Sequence, residues 1–185
     1  MVKRQSAKEL LAASFRDLAQ SRPVDKITIQ DIVTNCGYSP ATFYRNYKDK
    51  YDLIAWDYAQ VSGRIMEQIG TDGYVWEDTL RDAVLLFQKE KEYLANLFQH
   101  TSGQESFVRY MTQINYDALK RQMLSVIGKN ELDEKLEMYI RIYCLGTVSL
   151  TCEWILGSYN ASPEELAEVF RYSLPQPLHP YLLTR

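Results

Sequence analysis

Apolar residues recur at helical spacing along most of the chain. Ser6 and Glu9 form a capping box at the start of the first helix, which should end before Pro23 because proline cannot continue it. Thr28 begins a second capping pattern, and Gly37 can take the positive φ angle that ends a short helix in a tight turn. The pattern therefore predicts two helices with a short connection before residue 38.

A third and a fourth helix are predicted directly after this turn. Ser39 is a typical N-cap with Pro40 in the first helical position, and Asp49 caps the fourth helix. Short helices within about forty-five residues, with a glycine turn between the second and third, are typical of a helix-turn-helix. The predicted parts are a DNA-binding domain over residues 1–50, its helix-turn-helix motif at about 28–47, and a connecting helix over 49–69.

The third helix has a polar face that suits DNA. Only Phe43 and Tyr47, four residues apart, are expected to be buried. The opposite face has no acidic residue and carries Thr42, Tyr44, Arg45 and Asn46. Arginine and asparagine can read base edges in a major groove, and hydroxyl groups can hold phosphates. A solvated polar face without a partner is the alternative interpretation.

Two lysines flank the start of the fourth helix. A cation is poorly placed there with respect to the helix dipole, which favours anions at that end. We expect the ammonium groups of Lys48 and Lys50, together with the backbone N–H groups, to converge on one DNA phosphate.

The chain after residue 70 is predicted to be a helical body, so that a second domain covers residues 51–174. The expected helices are 76 to about 90, a stretch running to 98, 107–127, about 132–156, and one that begins at 163 after a cap at Ser162. Pro175, Pro177 and Pro180 are expected to make residues 175–185 an extended, proline-rich tail. The predicted fold class is all-α.

The helix at about 132–156 is expected to form a homodimer interface. Its apolar side chains cover most of its circumference, as required when one side meets its own core and the other a partner. Small residues would let two helices approach closely: Gly146, Thr147, Ser149 and Thr151. Burial of the whole helix inside one monomer is the alternative.

Composition places the chain among soluble cytoplasmic proteins. Apolar residues make up 46% and charged residues 24% of 185 positions, and the first twenty residues contain charges but no apolar signal segment. The span-length window 138–157 contains Arg141 and Glu153, so we expect a buried helix and no membrane partner. Three cysteines without a CxxC pair indicate reduced thiols.

Charge is divided unequally along the sequence. Residues 1–50 hold nine Lys or Arg and five Asp or Glu, a net charge of +4, whereas residues 51–185 carry a net charge of −7. A basic first quarter on an acidic body indicates an anion-binding module joined to a body that repels polyanions.

Catalytic chemistry is not indicated. The two histidines, His100 and His179, lie in different contexts, and no HExxH, GxSxG, phosphate-binding loop or metal-ligand spacing occurs. We therefore expect no enzyme activity, no catalytic residue, no metal and no cofactor.

The residues around the helix-turn-helix resemble a known family. Thr-Phe-Tyr at 42–44, Lys-Asp-Lys at 48–50 and Leu-Ile at 53–54 are similar to the DNA-binding segment of TetR-type (tetracycline-repressor-like, TetR/AcrR) transcriptional regulators. The resemblance covers roughly residues 6–60. It departs from the family pattern at Val33 and Cys36, where alanine is frequent, and at Tyr47, where phenylalanine is common.

The resemblance implies a role for each residue of a candidate DNA-binding set. Thr28 should touch the DNA backbone, Pro40, Ala41 and Thr42 should lie against bases, and Tyr44 and Lys50 should bind phosphates. Arg45 and Asn46 would face bases or the flanking backbone, and Lys3 and Arg4 could add contacts from an amino-terminal arm. The full predicted set is Thr28, Ser39, Pro40, Ala41, Thr42, Tyr44, Arg45, Asn46, Lys48 and Lys50.

The resemblance also implies a function. We expect a homodimer that binds a palindromic, inverted-repeat operator in double-stranded DNA and acts as a repressor, with an unidentified effector, a small molecule or a protein, bound to the second domain. An effector pocket would use some of the aromatic residues of the body: Trp56, Trp76, Phe87, Phe98, Phe107, Tyr110, Tyr139, Tyr143 and Trp154.

Three alternatives to this function remain. Residues 74–172 are faintly similar to dihydroxyacetone-kinase regulators, which would imply an activator controlled by a partner protein. A protein-docking adaptor and a helical enzyme that processes small molecules belong to other classes.

Overall fold

The computed structural model describes residues 5–69, 71–103 and 106–183. Within these ranges the chain forms ten α-helices and two short 3-10 turns, with no β-strand, so the predicted all-α fold is confirmed. The helices are α1 (Ala7–Ala19), α2 (Ile29–Cys36), α3 (Pro40–Asn46), α4 (Lys50–Met66), α5 (Trp76–Lys89), α6 (Lys91–His100), α7 (Phe107–Ile127), α8 (Glu134–Ile155), α9 (Pro163–Tyr172) and α10 (His179–Leu182). The 3-10 turns are Val24–Lys26 and Gln176–Leu178.

The first three helices begin where their capping residues predict. The side chains of Ser6, Thr28 and Ser39 accept hydrogen bonds from backbone N–H groups three residues on. Gly37 has a φ angle of 74°, and the N–H of Tyr38 donates to the carbonyl of Val33 at 2.9 Å, which ends α2 and turns the chain into α3.

The body is built around α7 and α8. These two helices pack against each other, α4 packs on α7, and α9 packs on α5. Buried side chains from all of these helices form one continuous core with the amino-terminal helices. In the described part of the chain, no helix combines the length and the apolar character that crossing a membrane requires.

The prediction of an extended tail after residue 174 was wrong. Residues 176–178 form a 3-10 turn and 179–182 a last helical turn, and Leu178 and Leu182 are buried. Pro177 and Pro180 each occupy one of the first two positions of their turn, where a missing N–H costs nothing. Proline therefore starts these turns, and the two leucines fasten them to the body.

One arginine joins the amino-terminal helices to the body. Arg16 of α1 donates through Nε to Oδ2 of Asp57 on α4 at 2.6 Å and through Nη1 to Oε2 of Glu90 after α5 at 2.8 Å. Its guanidinium carbon lies 4.5 Å from the ring centre of Tyr93 on α6. We call these four residues, Arg16, Asp57, Glu90 and Tyr93, the Arg16 cluster.

A second contact on α6 fixes the end of α1. The Nδ2 group of Asn96 donates to the carbonyls of Ala19 and Arg22, both at 2.8 Å, and its Oδ1 accepts from the N–H of Val24 at 3.0 Å. A single side chain of the body thus satisfies backbone groups at the end of α1 and at the start of the following turn.

The Arg16 cluster is partly shielded from solvent. The side chains of Arg16 and Asp57 are 28% and 13% exposed. Burial raises the pKa of Asp57, and Arg16 opposes that rise. A carboxylate in this position depends on its counter-charge, so the interaction ties α1 to α4.

Replacing Arg16 with Met should lower the free energy of unfolding by about 2–3 kcal/mol, somewhat less than the ~3–5 kcal/mol measured for broken buried pairs because this pair is partly exposed. Urea denaturation measures the loss. Adding Asp57→Asn to Arg16→Met should restore part of the stability, because the unpaired charge is removed.

The matched control is Arg22→Met. Arg22 and Asp31 form a 3.4 Å ion pair in which both side chains are more exposed, at 39% and 33%. If Arg22→Met and Arg16→Met lowered the free energy of unfolding by the same amount, the Arg16 cluster would contribute no more than an ordinary exposed ion pair.

Candidate functional sites: a helix-turn-helix and a cavity in the body

Two aromatic residues orient α3. Phe43 is fully buried and Tyr47 is 2% exposed, and the Tyr47 hydroxyl donates to the carbonyl of Lys8 at 2.9 Å. Tyr47 also lies against Trp56 of α4 with ring centres 5.8 Å apart. Anchoring on this side turns the opposite face of α3 outward, as the sequence predicts.

The outward face of α3 carries most of the candidate DNA-binding residues. Ser39, Pro40, Ala41, Tyr44 and Arg45 are exposed, whereas Thr42 and Asn46 are half-buried. Among these side chains, Tyr44 is 60% exposed, which is unusual for a large aromatic residue.

The polar side chains of α3 bond to one another and to the helix. Arg45 Nη2 donates to the Thr42 hydroxyl at 3.0 Å, and Asn46 Nδ2 donates to the Thr42 carbonyl at 2.8 Å. The Ser39 and Thr42 hydroxyls lie 3.2 Å apart. These bonds hold the polar groups of α3 on one surface of the helix.

Thr28 acts in the structure as a helix cap. Its hydroxyl donates to Asp31 at 2.7 Å and accepts from the Asp31 N–H at 3.1 Å, and the residue is exposed. A contact with the DNA backbone stays a prediction for this residue. Lys3 and Arg4 lie outside the described residues.

The ammonium group of Lys50 is bonded within the protein, and its predicted phosphate contact stays a prediction. Its ammonium group donates to the carbonyls of Val24, Asp25 and Ile27 at 2.9, 3.0 and 2.9 Å. An ammonium has three N–H donors, so these acceptors satisfy all of them. Lys50 thus ties the start of α4 to the turn before α2, while Lys48 is exposed.

A cavity of about 100 Å³ lies in the body between α4, α5, α7, α8 and α9. Three of the predicted aromatic residues, Trp76, Phe87 and Tyr143, line it, but the other six do not. Among the described residues that line it, none is an Asp, Glu, His, Lys or Arg. The cavity is therefore apolar with a few uncharged polar groups, as binding sites for small molecules usually are.

The polar groups of the cavity come from four helices. The Tyr58 hydroxyl donates to Asn115 Oδ1 at 2.8 Å, and the Tyr143 hydroxyl donates to the carbonyl of Phe170 at 2.9 Å. Burial raises the pKa of both tyrosines and raises that of the Cys144 thiol to about 12. All three groups are therefore uncharged at neutral pH.

The outer surface of α8 carries an apolar stripe. Met138, Ile142, Leu145 and Leu156 are between 41% and 66% exposed, while the opposite side of the same helix is buried. Gly146 and Ser149 lie on the exposed side. Thr147 and Thr151 instead donate to carbonyls of their own helix, and Thr151 is buried.

Comparison with family models identifies the class. A model described as the C-terminal region of transcriptional regulators of the TetR type matches residues 75–176, and the model of bacterial regulatory proteins of the TetR family matches residues 10–55. The chain belongs to the TetR family of transcriptional regulators and has the DNA-binding domain of that family.

Solved structures share the fold. The dihydroxyacetone kinase operon activator DhaS has a TM-score of 0.64 and 16% identity over 95% of this chain and 97% of its own. A TetR regulator from Rhodococcus sp. RHA1 has a TM-score of 0.62 and 16% sequence identity, over 93% of this chain and 95% of its own. A TetR regulator from Streptococcus agalactiae 2603V has a TM-score of 0.59 and 18% sequence identity, over 91% of this chain and 93% of its own. No curated protein sequence matches the chain significantly.

Sequence reasoning missed the residues that connect the two parts of the molecule. In their local sequence patterns, the missed residues look like ordinary polar residues of helix surfaces: Arg16, Asp57, Glu90 and Asn96. The hydrogen bonds that they make between the two parts of the molecule join residues 41 to 77 positions apart. No local signal identifies such pairs.

Replacing Lys50 with Met should lower the free energy of unfolding by about 2 kcal/mol, because three carbonyls lose a charged donor. Urea denaturation of the purified protein measures this. Lys48→Met is the control, since an exposed lysine two residues earlier should leave stability nearly unchanged. If Lys50→Met kept its stability and only bound DNA less tightly, the phosphate role predicted from the sequence would be correct.

Proposed function

We propose that the protein is a homodimeric transcriptional repressor that binds an inverted-repeat operator through α3 and releases it when an effector occupies the cavity of the body. The observation that carries the DNA-binding part is the outward face of α3, which has donors and hydroxyls but no carboxylate. Such a surface suits a negatively charged groove whose base edges offer acceptors.

The candidate residues divide into two roles. Arg45, together with Asn46 and Thr42, is proposed to read base edges, and Pro40 and Ala41 to lie against them. Tyr44, Ser39, Thr28 and Lys48 are proposed to position the helix by contacting the DNA backbone. Lys50 supports this surface from behind through the carbonyls of residues 24, 25 and 27.

Replacing Arg45 with Ala should weaken operator binding by about 1–3 kcal/mol and relax the base preference at one position of each half-site. Selection from randomised duplexes, followed by sequencing, measures both effects. Lys48→Ala is the matched control, because loss of a phosphate contact lowers affinity for all sequences and reduces its salt dependence. An equal loss on every duplex in Arg45→Ala would make Arg45 a phosphate contact.

A second copy of the chain is the proposed occupant of the apolar stripe on α8. Val169 and Tyr172 of α9 are also 48% and 71% exposed, so α8 and α9 both present apolar side chains to solvent in the monomer. Packing of these two helices against the same pair of a partner would form a four-helix interface with two-fold symmetry. That symmetry matches an inverted repeat, and two motifs supply contacts that one short helix lacks.

Replacing Ile142 with Arg should convert the dimer into a monomer and abolish tight binding to the inverted repeat. Ile142 is 66% exposed, so the monomer itself should tolerate the change. Sedimentation equilibrium measures the mass. Val126→Arg is the control, because Val126 is 47% exposed and belongs to α7, which is not part of the proposed interface. An Ile142→Arg dimer of full stability would place the interface elsewhere.

The cavity and the Arg16 cluster lie on the same turns of α4 and α5. Tyr58 lines the cavity and follows Asp57, and Phe87 lines the cavity one turn before Glu90. A ligand that moves Tyr58 or Phe87 therefore displaces a carboxylate that holds Arg16 of α1. This is the proposed route by which an effector changes the separation of the two DNA-binding domains.

A further inference from the structure

The cavity is lined by an amide group with unused hydrogen-bond donors. Asn115 of α7 lines the cavity, and its Oδ1 accepts a hydrogen bond from the Tyr58 hydroxyl at 2.8 Å. In the described part of the chain, its Nδ2 group, which has two N–H donors, has no acceptor. Among the described side chains, the unpartnered atom that is fully buried is Nε1 of Trp76, which no ligand can reach. The amide nitrogen of Asn115 therefore keeps accessible surface, and its donors are available to a ligand.

Tyr58 determines which atom of this amide is left for a ligand. Its ring packs edge-on against Phe107 with ring centres 5.5 Å apart, and burial raises its pKa, so the hydroxyl keeps its proton at neutral pH. Within the described residues, the acceptor of that proton is Asn115 Oδ1. A flipped amide would bring Nδ2 to the hydroxyl and leave the tyrosine proton unpaired. The carbonyl end of the amide is thus committed to α4, and the nitrogen end is not.

Other hydroxyl groups of the cavity use their protons within the protein. Thr79, Thr147 and Thr151 donate to backbone carbonyls four residues earlier, and Tyr143 donates to another backbone carbonyl. The Ser62 hydroxyl can donate or accept, so it favours neither kind of ligand. The cavity consequently has a surplus of donors at Asn115, and a ligand that matches it carries an acceptor.

Charge excludes ionic ligands. No residue that lines the cavity in the described part of the chain offers a counter-charge, and the raised pKa values keep Tyr58, Tyr143 and Cys144 neutral. A carboxylate or an ammonium ion would lose its hydration without compensation.

Volume sets the size of the ligand. Benzene occupies an engineered apolar cavity of about 150 Å³, so a cavity of about 100 Å³ holds roughly four to six non-hydrogen atoms. The apolar walls, including Leu80, Met111 and Val148, favour a compact hydrocarbon frame.

We propose that the cavity binds a small uncharged compound with a compact hydrocarbon frame and one oxygen that accepts a hydrogen bond from Asn115 Nδ2. The oxygen satisfies the donors that the protein leaves unused, and the frame contacts the apolar walls. The proposal rests on the proposed function, since it names the chemical class of the effector that the cavity takes.

Four probes of similar size test the ligand class: butanone, its hydrocarbon isostere 2-methylbut-1-ene, the 2-butylammonium cation, and propanoate. Each is titrated into the full-length ¹⁵N-labelled protein without DNA, and the side-chain amide signals are followed by NMR. The signals of Asn115 are identified by their loss in Asn115→Leu. We expect butanone to shift them downfield, 2-methylbut-1-ene to bind without that shift, and the two ions not to bind.

Two variants isolate the amide donor. Tyr58→Phe is the reference, because it removes the hydroxyl and leaves Asn115 in place; Tyr58→Phe with Asn115→Leu then removes the amide without leaving a buried hydroxyl unpaired. Relative to the reference, the dissociation constant of butanone should rise about 3–10-fold, as for a hydrogen bond of about 1 kcal/mol, and that of 2-methylbut-1-ene should stay within about twofold. Ala118→Met, which fills the cavity from α7, should abolish binding of both neutral probes. If the double variant does not fold, the downfield shift in the unmodified protein decides the question.

Three results would overturn the ligand class: tighter binding of either ion than of butanone, an equal loss of both neutral probes in the double variant, or no response of the Asn115 signals to butanone. Operator affinity measured with and without butanone tests the proposed function separately. Binding with unchanged operator affinity would refute effector control and leave the ligand class standing. Operator release by ions alone would refute the ligand class and leave effector control standing.

Discussion

The ion pair between Arg16 and Asp57 is the constraint on which the relation between the two parts of the molecule depends. It joins α1, which packs on α2 and α3, to α4, which packs on α7 in the body. Glu90 and Tyr93 add a second carboxylate and an aromatic face to the same guanidinium. Because the pair is largely removed from solvent, a shift of either helix carries an electrostatic cost. The orientation of α3 is therefore tied to the position of α4.

In the proposed function, the Arg16 cluster lies close enough to the cavity for a bound ligand to act on the DNA-binding helices. Asp57 and Tyr58 are neighbours in sequence on α4, yet one binds α1 and the other lines the cavity. A ligand with different affinity for two positions of α4 would shift their populations, and DNA would change the affinity of that ligand by the same factor. The proposed coupling would need no long chain of residues, since one turn of α4 carries both contacts.

The features that could be predicted from the sequence are those that depend on residues close together along the chain. Ser6, Thr28, Ser39 and Asp49 cap helices through bonds to residues two or three positions away, so these helix starts were predictable. The end of the chain was not, because a proline that stops one helix also suits the first positions of the next. Lys50 was assigned to phosphate on local grounds, whereas its three acceptors lie 23 to 26 residues earlier.

If α3 binds DNA as proposed, the engagement of Lys50 with three carbonyls bears on how α3 would gain its affinity. A lysine that neutralises a DNA phosphate releases counterions, and this raises the affinity for every DNA sequence equally. A lysine whose ammonium group is bonded within the protein does not make this contribution, so non-specific binding is weaker. In α3 and the segment that follows it, Arg45 and Lys48 are the exposed cations, while Tyr44, Ser39 and Thr42 offer uncharged hydroxyls. A surface with this composition depends more on hydrogen-bond geometry than on net charge. In the proposed function, its discrimination between DNA sequences would therefore depend on the angle at which Phe43 and Tyr47 hold α3, and Tyr47 itself packs against Trp56 of α4.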